Sequence, residues 1–522
     1  MFLDQLGKYF QKTLLIFLVA PLAFMLIRAN LDFSISDEES WSFVLRETVP
    51  SLLTNTVWLI LWTNLFTLTF GLFQSILVTL TSVKFKRLLN FLFILPLAFP
   101  LYVISFLYLG LFEYSGELST FFRTQFTFNL NRFVNVKSAP AIGFIFSLVL
   151  TPYAYLFFKS ALLRFDKKLI WSGRILGRTP IQVFTSLIIP NLKKWMFAVS
   201  ILITSEVICD FGGVSVFNFE TFSVAIYEAW ISLFSLNSAI KLSVFPMLFI
   251  LILYFANARL DLNSGNMKEH QPVELFKPRG VGLLLIWFFI ILMGVFSLGL
   301  PLGTLFYWAM KSYAKESMSL FWGYLGGSFS LSLIAAFVLT SLAFLYVAIK
   351  RFLKSNDLTE ALLKLGYALP GTIVGIAIIG FFSSFNINYF GFYAWGALIL
   401  ALVIRFFAPA LEIQDKAYQT ISKKLDFASR SLGVGRLKTV LGIHLPLLRP
   451  TLISSFFLVF IEVLKEMPIT LILRPHGLNT LSTKIYELTS EGEWYRASVY
   501  ALVMVLFCVV SLILMNRNEG RN

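Results

Sequence analysis

Residues 423–446 read KKLDFASRSLGVGRLKTVLGIHLP, and residues 167–190 read KKLIWSGRILGRTPIQVFTSLIIP. Lys167-Lys168-Leu169, Arg174, Leu176-Gly177 and Pro190 recur as Lys423-Lys424-Leu425, Arg430, Leu432-Gly433 and Pro446, every pair 256 residues apart without a gap. The same offset carries Ser205-Glu206-Val207 onto Ile461-Glu462-Val463 and Asp210 onto Glu466. After a three-residue insertion the register resumes at 259, where Thr221-Phe222-Ser223 and Ile226-Tyr227 match Thr480-Leu481-Ser482 and Ile485-Tyr486. Upstream, Ala98-Phe99-Pro100 matches Ala368-Leu369-Pro370 at an offset of 270. One chain therefore contains two copies of one unit.

The surroundings of the repeat are apolar. Of 522 residues 57% are hydrophobic and 14% are charged, with a mean hydropathy of +0.79. A soluble domain carries about 25% charged residues, so the chain reads as an integral membrane protein, and disorder or a disulfide scaffold is excluded. Runs of about 20 apolar residues predict twelve spans. In the first half they lie near 13–29, 54–80, 90–111, 139–162, 195–214 and 237–258, and in the second near 281–308, 327–349, 366–385, 393–413, 451–472 and 496–516. The first is read as an uncleaved span, since Leu26-Ile27-Arg28-Ala29-Asn30 is a poor cleavage site.

The hydrophilic stretch Asp261–Arg279 reads as a linker. It divides the chain into a first repeat, 1–260, and a second, 280–522. An even number of spans per half gives both halves one orientation. The expected fold is an all-α polytopic membrane protein with about 12 transmembrane helices in two parallel six-helix repeats.

With both termini in the cytoplasm, most of the 43 Lys and Arg fall in inner segments, as the positive-inside rule requires. The net charge of +15 is thus explained by topology, without nucleic acid. Cys209 and Cys508 sit in apolar runs and read as small buried hydrophobes. His270, His444 and His476 have no second ligand at metal-like spacing, and no nucleophile–base pair suggests an enzyme.

Residues 165–176 and 421–432 are helix-compatible. Gly177 and Gly433 suit the left-handed residue that closes a helix, and Pro190 and Pro446 suit the start of the next one. A single basic loop of this kind reads equally well as an interfacial segment contacting lipid phosphates. Two copies with the same internal spacing favour a two-fold partner surface. Gly433-Val434-Gly435-Arg436-Leu437-Lys438-Thr439 superficially resembles a phosphate loop but lacks its Gly-Lys-Ser/Thr ending and a preceding strand, so an ATP site in this chain is rejected.

Residues 425–450 resemble the cytoplasmic coupling motif of ABC importer permeases, Glu-Ala-Ala, three residues, Gly, then a Leu-Pro about a dozen residues later. The Glu-Ala-Ala is replaced by Phe427-Ala428-Ser429, with Asp426 one place early, and by Trp171-Ser172-Gly173 in the first copy. Over the whole chain, residues 206–230 and 462–486, with EVICDFGG, TFSVAIYEAW and EVLKEMPITLILRP, are similar to the fused double permeases of ferric-iron ABC importers. The thiamine importer permease is a fused double unit of similar length and is the nearest competitor.

The resemblance implies a mechanism and partners. A periplasmic binding protein delivers the solute, and two separate ATP-binding subunits dock on the loops carrying Arg174, Leu176, Gly177 and Pro190, and Arg430, Leu432, Gly433 and Pro446. ATP is used by those subunits, this chain has no cofactor of its own, and the protein lies in the bacterial inner membrane. A rival of another class is a secondary transporter driven by an ion gradient, whose repeats are commonly inverted.

Glu206, Asp210, Glu462, Lys465 and Glu466 fall in the fifth and eleventh expected spans. Charge inside a bilayer is expensive, so such residues usually face a cavity or a partner. The acids are four apart, which on a continuous helix puts them on one face, where they would line a pathway. Hard oxygen donors suit a trivalent iron ion and would also attract an organic cation. Equally, the spans end earlier than drawn and Lys465 neutralises Glu462. Arg405, whose counterpart is Val149, either snorkels to the interface, the expectation preferred here, or partners one of these acids. The 57 Phe are mostly lipid-facing or packing residues.

Overall fold

A computed structural model of the chain describes residues 2–31, 41–42, 44–258, 274–353, 357–385 and 392–519. Most of the expected linker, 261–273, and His270 lie outside the described residues. Among the described residues, ten helices are long and apolar enough to cross a membrane, and two further bent pairs raise the number to 12. The only β-bridge described joins Thr81 to Phe276. The protein is an all-α polytopic membrane protein, as expected.

The expected spans at 90–111 and 366–385 are not straight helices. Each is a bent pair, Lys86–Ala98 with Leu101–Phe126 at 88° and Leu358–Ala368 with Gly371–Ser384 at 109°. The breaks fall at the repeated Ala-Phe/Leu-Pro triplet. Pro100 and Pro370 have extended backbone, ψ 147° and 139°, and a proline has no N–H to continue the ladder. A second correction concerns the fifth and eleventh spans, whose helices run Ile189–Cys209 and Leu445–Lys465 and stop short of Asp210 and Glu466.

The chain forms two compact units that do not coincide with its two halves. One comprises Met1–Trp41, Ala225–Phe245 and Lys311–Asn522, the other Ser42–Val224 and Pro246–Met310. In the first, Leu445–Lys465 packs against Met318–Phe352, Phe392–Thr420 and Trp494–Glu519. The N-terminal helix Phe2–Leu31 packs on Gly371–Ser384, where Arg28 Nη1 donates to Ser383 Oγ and Ser384 Oγ at 3.2 and 3.0 Å and Phe24 meets Phe381 edge-on at 5.7 Å.

In the other unit the closest pairing is between Val49–Leu80 and Ala139–Arg164, with Ile189–Cys209 against both. Apolar area alone does not drive helices together in lipid, so close approach over small residues supplies the packing. At Gly143 a Cβ would stand 2.7 Å from Trp62 Cβ and 2.9 Å from the Thr63 nitrogen. The segment Val281–Gly294 belongs here too, placing Ile290 in a cluster with Leu77, Leu89, Phe93 and Tyr155.

Candidate functional site: the repeat loops and the acidic helix ends

Both repeat loops fold in the same way. Helix Lys167–Ile175 begins where Asp166 accepts from the Lys168 nitrogen at 2.8 Å, and Lys423–Ser431 begins where Ser422 Oγ accepts from Lys424 at 3.3 Å. Each ends on a left-handed glycine, Gly177 at φ +79° and Gly433 at φ +74°. The following residue folds back: Arg178 N–H donates to the Gly173 carbonyl at 3.1 Å and Val434 N–H to that of Ser429 at 3.0 Å. These are the paired C-terminal bonds that satisfy orphan carbonyls.

The next helices start ten residues before Pro190 and Pro446, at Pro180 and Arg436. Pro190 and Pro446 themselves stand in the first turn of Ile189–Cys209 and Leu445–Lys465, as their place at a helix start leads one to expect. Each follows directly on a π-helical turn, Phe184–Ile188 or Val440–His444, that leads into its helix, where the changed bonding register accommodates a residue without an N–H.

Leu176 and Leu432 are 79% and 82% exposed, and the neighbouring repeat pairs Trp171/Phe427 and Ile181/Leu437 are exposed as well. Arg174 and Arg430 lie among them, and Arg174 Nη1 donates to the Arg178 carbonyl at 3.1 Å. The structure thus brings six expected loop residues, Arg174, Leu176, Gly177, Arg430, Leu432 and Gly433, onto short surface helices with apolar knobs at equivalent positions.

Beneath the loops the copies differ. Under the first lies an apolar cluster of Leu162, Ile170, Val183, Ile188 and Leu192 with Leu80 and Leu275. At the 256 offset Leu162, Ile170, Val183 and Ile188 become Tyr418, Asp426, Thr439 and His444. There Tyr418 Oη is 2.8 Å from His444 Nδ1, His444 Nε2 is 2.8 Å from Asp426 Oδ1, and Arg351 Nε donates to Asp426 Oδ2 at 2.7 Å. Thr439 Oγ1 lies 2.6 Å from Ser429 Oγ. Sequence reasoning missed this network, although the offset that revealed the repeat also aligns its polar members with buried aliphatics.

The acids occupy helix ends. Asp210 and Glu466 are the C-capping residues after Cys209 and Lys465, in extended backbone at ψ 126° and 124°. They therefore do not share a helix face with Glu206 and Glu462, and the one-face expectation is corrected. The Phe211-Gly212-Gly213 and Met467-Pro468 that follow turn the chain. Each carboxylate caps the short helix beyond it: Asp210 Oδ2 accepts from Val214 N–H and Glu466 Oε1 from Ile469 N–H, both at 3.0 Å. Each backbone carbonyl is held by the repeat-equivalent serine, Ser223 to Asp210 at 2.5 Å and Ser482 to Glu466 at 2.9 Å.

Two charges belong to the second copy alone. Arg405 Nε lies 3.2 Å from Glu466 Oε2, and its Nη1 donates to the Leu369 carbonyl beside the broken span. Arg405 is therefore a buried partner of Glu466, and the snorkelling expectation is overturned because the break at Pro370 leaves a carbonyl needing a donor. Lys465 pairs with Glu462 at 3.2 Å. Glu206 and Asp210 are half-buried. None of the four acids lines the 280 Å³ cavity bordered by Gln74, Phe93, Leu148, Thr151 and Met293. Cys209 and Cys508 are buried and unbridged.

A duplicated surface loop closed by glycine, a span broken at proline and an acid-capped helix end recur in both copies of this polytopic chain. Residues 354–521 match the family described as binding-protein-dependent transport system inner membrane component. Over 97% of its length, and 98% of the relative's, the chain is 25% identical to an Fe(3+)-transport system permease protein of Haemophilus influenzae. A second ferric permease of that organism is 22% identical over 86% of this chain and 72% of its own. The molybdenum transport permease of Escherichia coli is 26% identical over 33% of this chain and 80% of its own.

Proposed function

We propose that this chain moves ferric iron from a periplasmic binding protein to the cytoplasm, powered by two separate ATPase subunits docked on the loops around Gly177 and Gly433. The observation that carries the substrate is the full-length likeness to an Fe(3+)-transport permease. The docking is supported by Leu176 and Leu432, leucines left in solvent at matching places on two helices that end in the same backbone hydrogen bonds. Exposed apolar side chains flanked by arginines suit a protein groove. In this reading both termini are cytoplasmic, the halves 1–260 and 280–522 with the linker 261–279 descend from duplication, and ATP is bound only by the partners.

Glu206, Asp210, Glu462 and Glu466 are proposed to set the field of the pathway for a hard cation. Glu466 does so as a member of the Arg405 pair, and Asp210 with Val149 at the place where an arginine stands in the other copy.

Uptake of labelled ferric ion by vesicles holding the chain, its ATPase and its binding protein tests the reading. Transport that depends on ATP and stops in Gly433→Glu, with the variant still inserted, is expected. Normal uptake by that variant would sink the docking assignment, and uptake of thiamine in place of iron would sink the substrate. Unchanged iron uptake in both Asp210→Asn and Glu466→Gln would remove the acids from the pathway.

A further inference from the structure

The two repeat loops share their outer geometry and differ in what holds them down. Leu162, Ile170, Val183 and Ile188 are all under 8% exposed, an aliphatic seat into which the end of the linker adds Leu275. Leu275 and Phe276 N–H both donate to the Leu80 carbonyl at 2.9 Å, and Phe276 meets Phe184 at 6.0 Å. In the other copy His444 is wholly buried and Asp426 is 17% exposed. Phe352 stacks on the His444 ring at 6.2 Å, and Arg351 Nη2 donates to the Ile421 carbonyl at 2.9 Å. The chain Tyr418–His444–Asp426–Arg351 ties together four parts of one unit: the end of Phe392–Thr420, the π turn, the loop helix and the end of Met318–Phe352.

We propose that Asp426 and His444 are the positioning residues of the second loop, which this polar chain seats in place of the apolar contacts that seat the first. The proposal rests on the docking reading only for its effect on coupling. Aliphatic packing is tolerant of small displacements, whereas hydrogen bonds weaken steeply with angle and distance. A buried network is costly when half-satisfied, so the second loop has one permitted position and the first a range of them. In the network Arg351 faces Asp426, and the His444 ring bridges the Asp426 carboxylate and the Tyr418 hydroxyl. Arg436 lies over the Phe352 ring, 5.5 Å from its centre.

Amide hydrogen exchange on the purified full chain in lipid discs tests the seat without any partner. Asp426→Asn and His444→Phe should each speed exchange of residues 423–433 about tenfold or more while leaving 167–177 within about twofold, since local opening is a property of each segment's own contacts. A graft of the first seat, Arg351→Leu, Tyr418→Leu, Asp426→Ile and His444→Ile together, should restore slow exchange. In the importer reconstituted with its ATPase, the single variants should lower solute moved per ATP hydrolysed at unchanged inserted protein. Wild-type exchange in both single variants, or an equal rise in both loops, overturns the proposal. If instead the exchange result holds and substitutions at Leu432 leave the ATPase untouched, the docking reading fails and the seat stands.

Discussion

Arg405 and Glu466 lie 3.2 Å apart with 13% and 5% of their side chains exposed, beside a helix broken at Pro370. Glu466 Oε1 stands where a Cβ on Gly371 would fall, 2.6 Å away, so the pair, the break and the short helix Pro468–Leu473 are one packed assembly. Removing one member strands the other. Arg405→Leu or Glu466→Leu should destabilise by about 3–5 kcal/mol, whereas a double apolar replacement should cost far less. Thermal melts of the three variants in one detergent check this, and additive losses would contradict it.

Ser482 and Ser223 perform the same bond at equivalent positions. Ser482→Ala and Ser223→Ala should each cost about 1 kcal/mol, the ordinary net value of a hydrogen bond, with a further penalty if the carbonyl left behind stays dry. Similar losses in the two variants, measured by denaturant or heat, are expected. A loss in only one would show that the two acidic helix ends are held differently.

Gly433 and Gly177 separate backbone strain from surface chemistry. A Cβ at either meets nothing within 4 Å, yet both are at positive φ. An alanine there should cost about 1–2 kcal/mol of local helix-end stability without blocking a partner. Gly433→Glu adds charge and bulk to the exposed face. The expected order for ATPase coupling is wild type, Gly433→Ala, then Gly433→Glu, and equal impairment by the last two would mean that conformation alone matters.

Gly143 tests the packing of Ala139–Arg164 against Val49–Leu80. Its Cβ position is already occupied by Trp62 and the Thr63 backbone, so Gly143→Leu must push the helices apart, at about 3 kcal/mol. Gly303, where a Cβ meets nothing, is the control, and Gly303→Ala should leave the melting point unchanged.

Much of this is legible in the sequence, because lipid imposes long apolar runs and duplication repeats rare residues at a fixed offset. The loop helices and their glycine ends followed from Gly177 and Gly433 alone. The helix ends did not: Ile189–Cys209 and Leu445–Lys465 stop where Asp210 and Glu466 cap a short helix, and hydropathy does not register a cap. Arg405 was misplaced because its partner lies 61 residues away and its carbonyl, that of Leu369, is exposed by a break. The Tyr418–His444–Asp426 network has no trace in the repeat pattern because its members align with the aliphatic Leu162, Ile188 and Ile170 of the first copy.

The π turns at Phe184–Ile188 and Val440–His444 also set a phase. One additional residue per turn shifts everything beyond it by about 100° around the helix axis. The segment that leaves each loop and the segment that reaches Asp210 or Glu466 are thus two rulers with different zero marks. Deleting one residue from either turn would leave the inner helix's own side chains unchanged yet point the whole helix, with Glu206 or Glu462 on it, at a different neighbour.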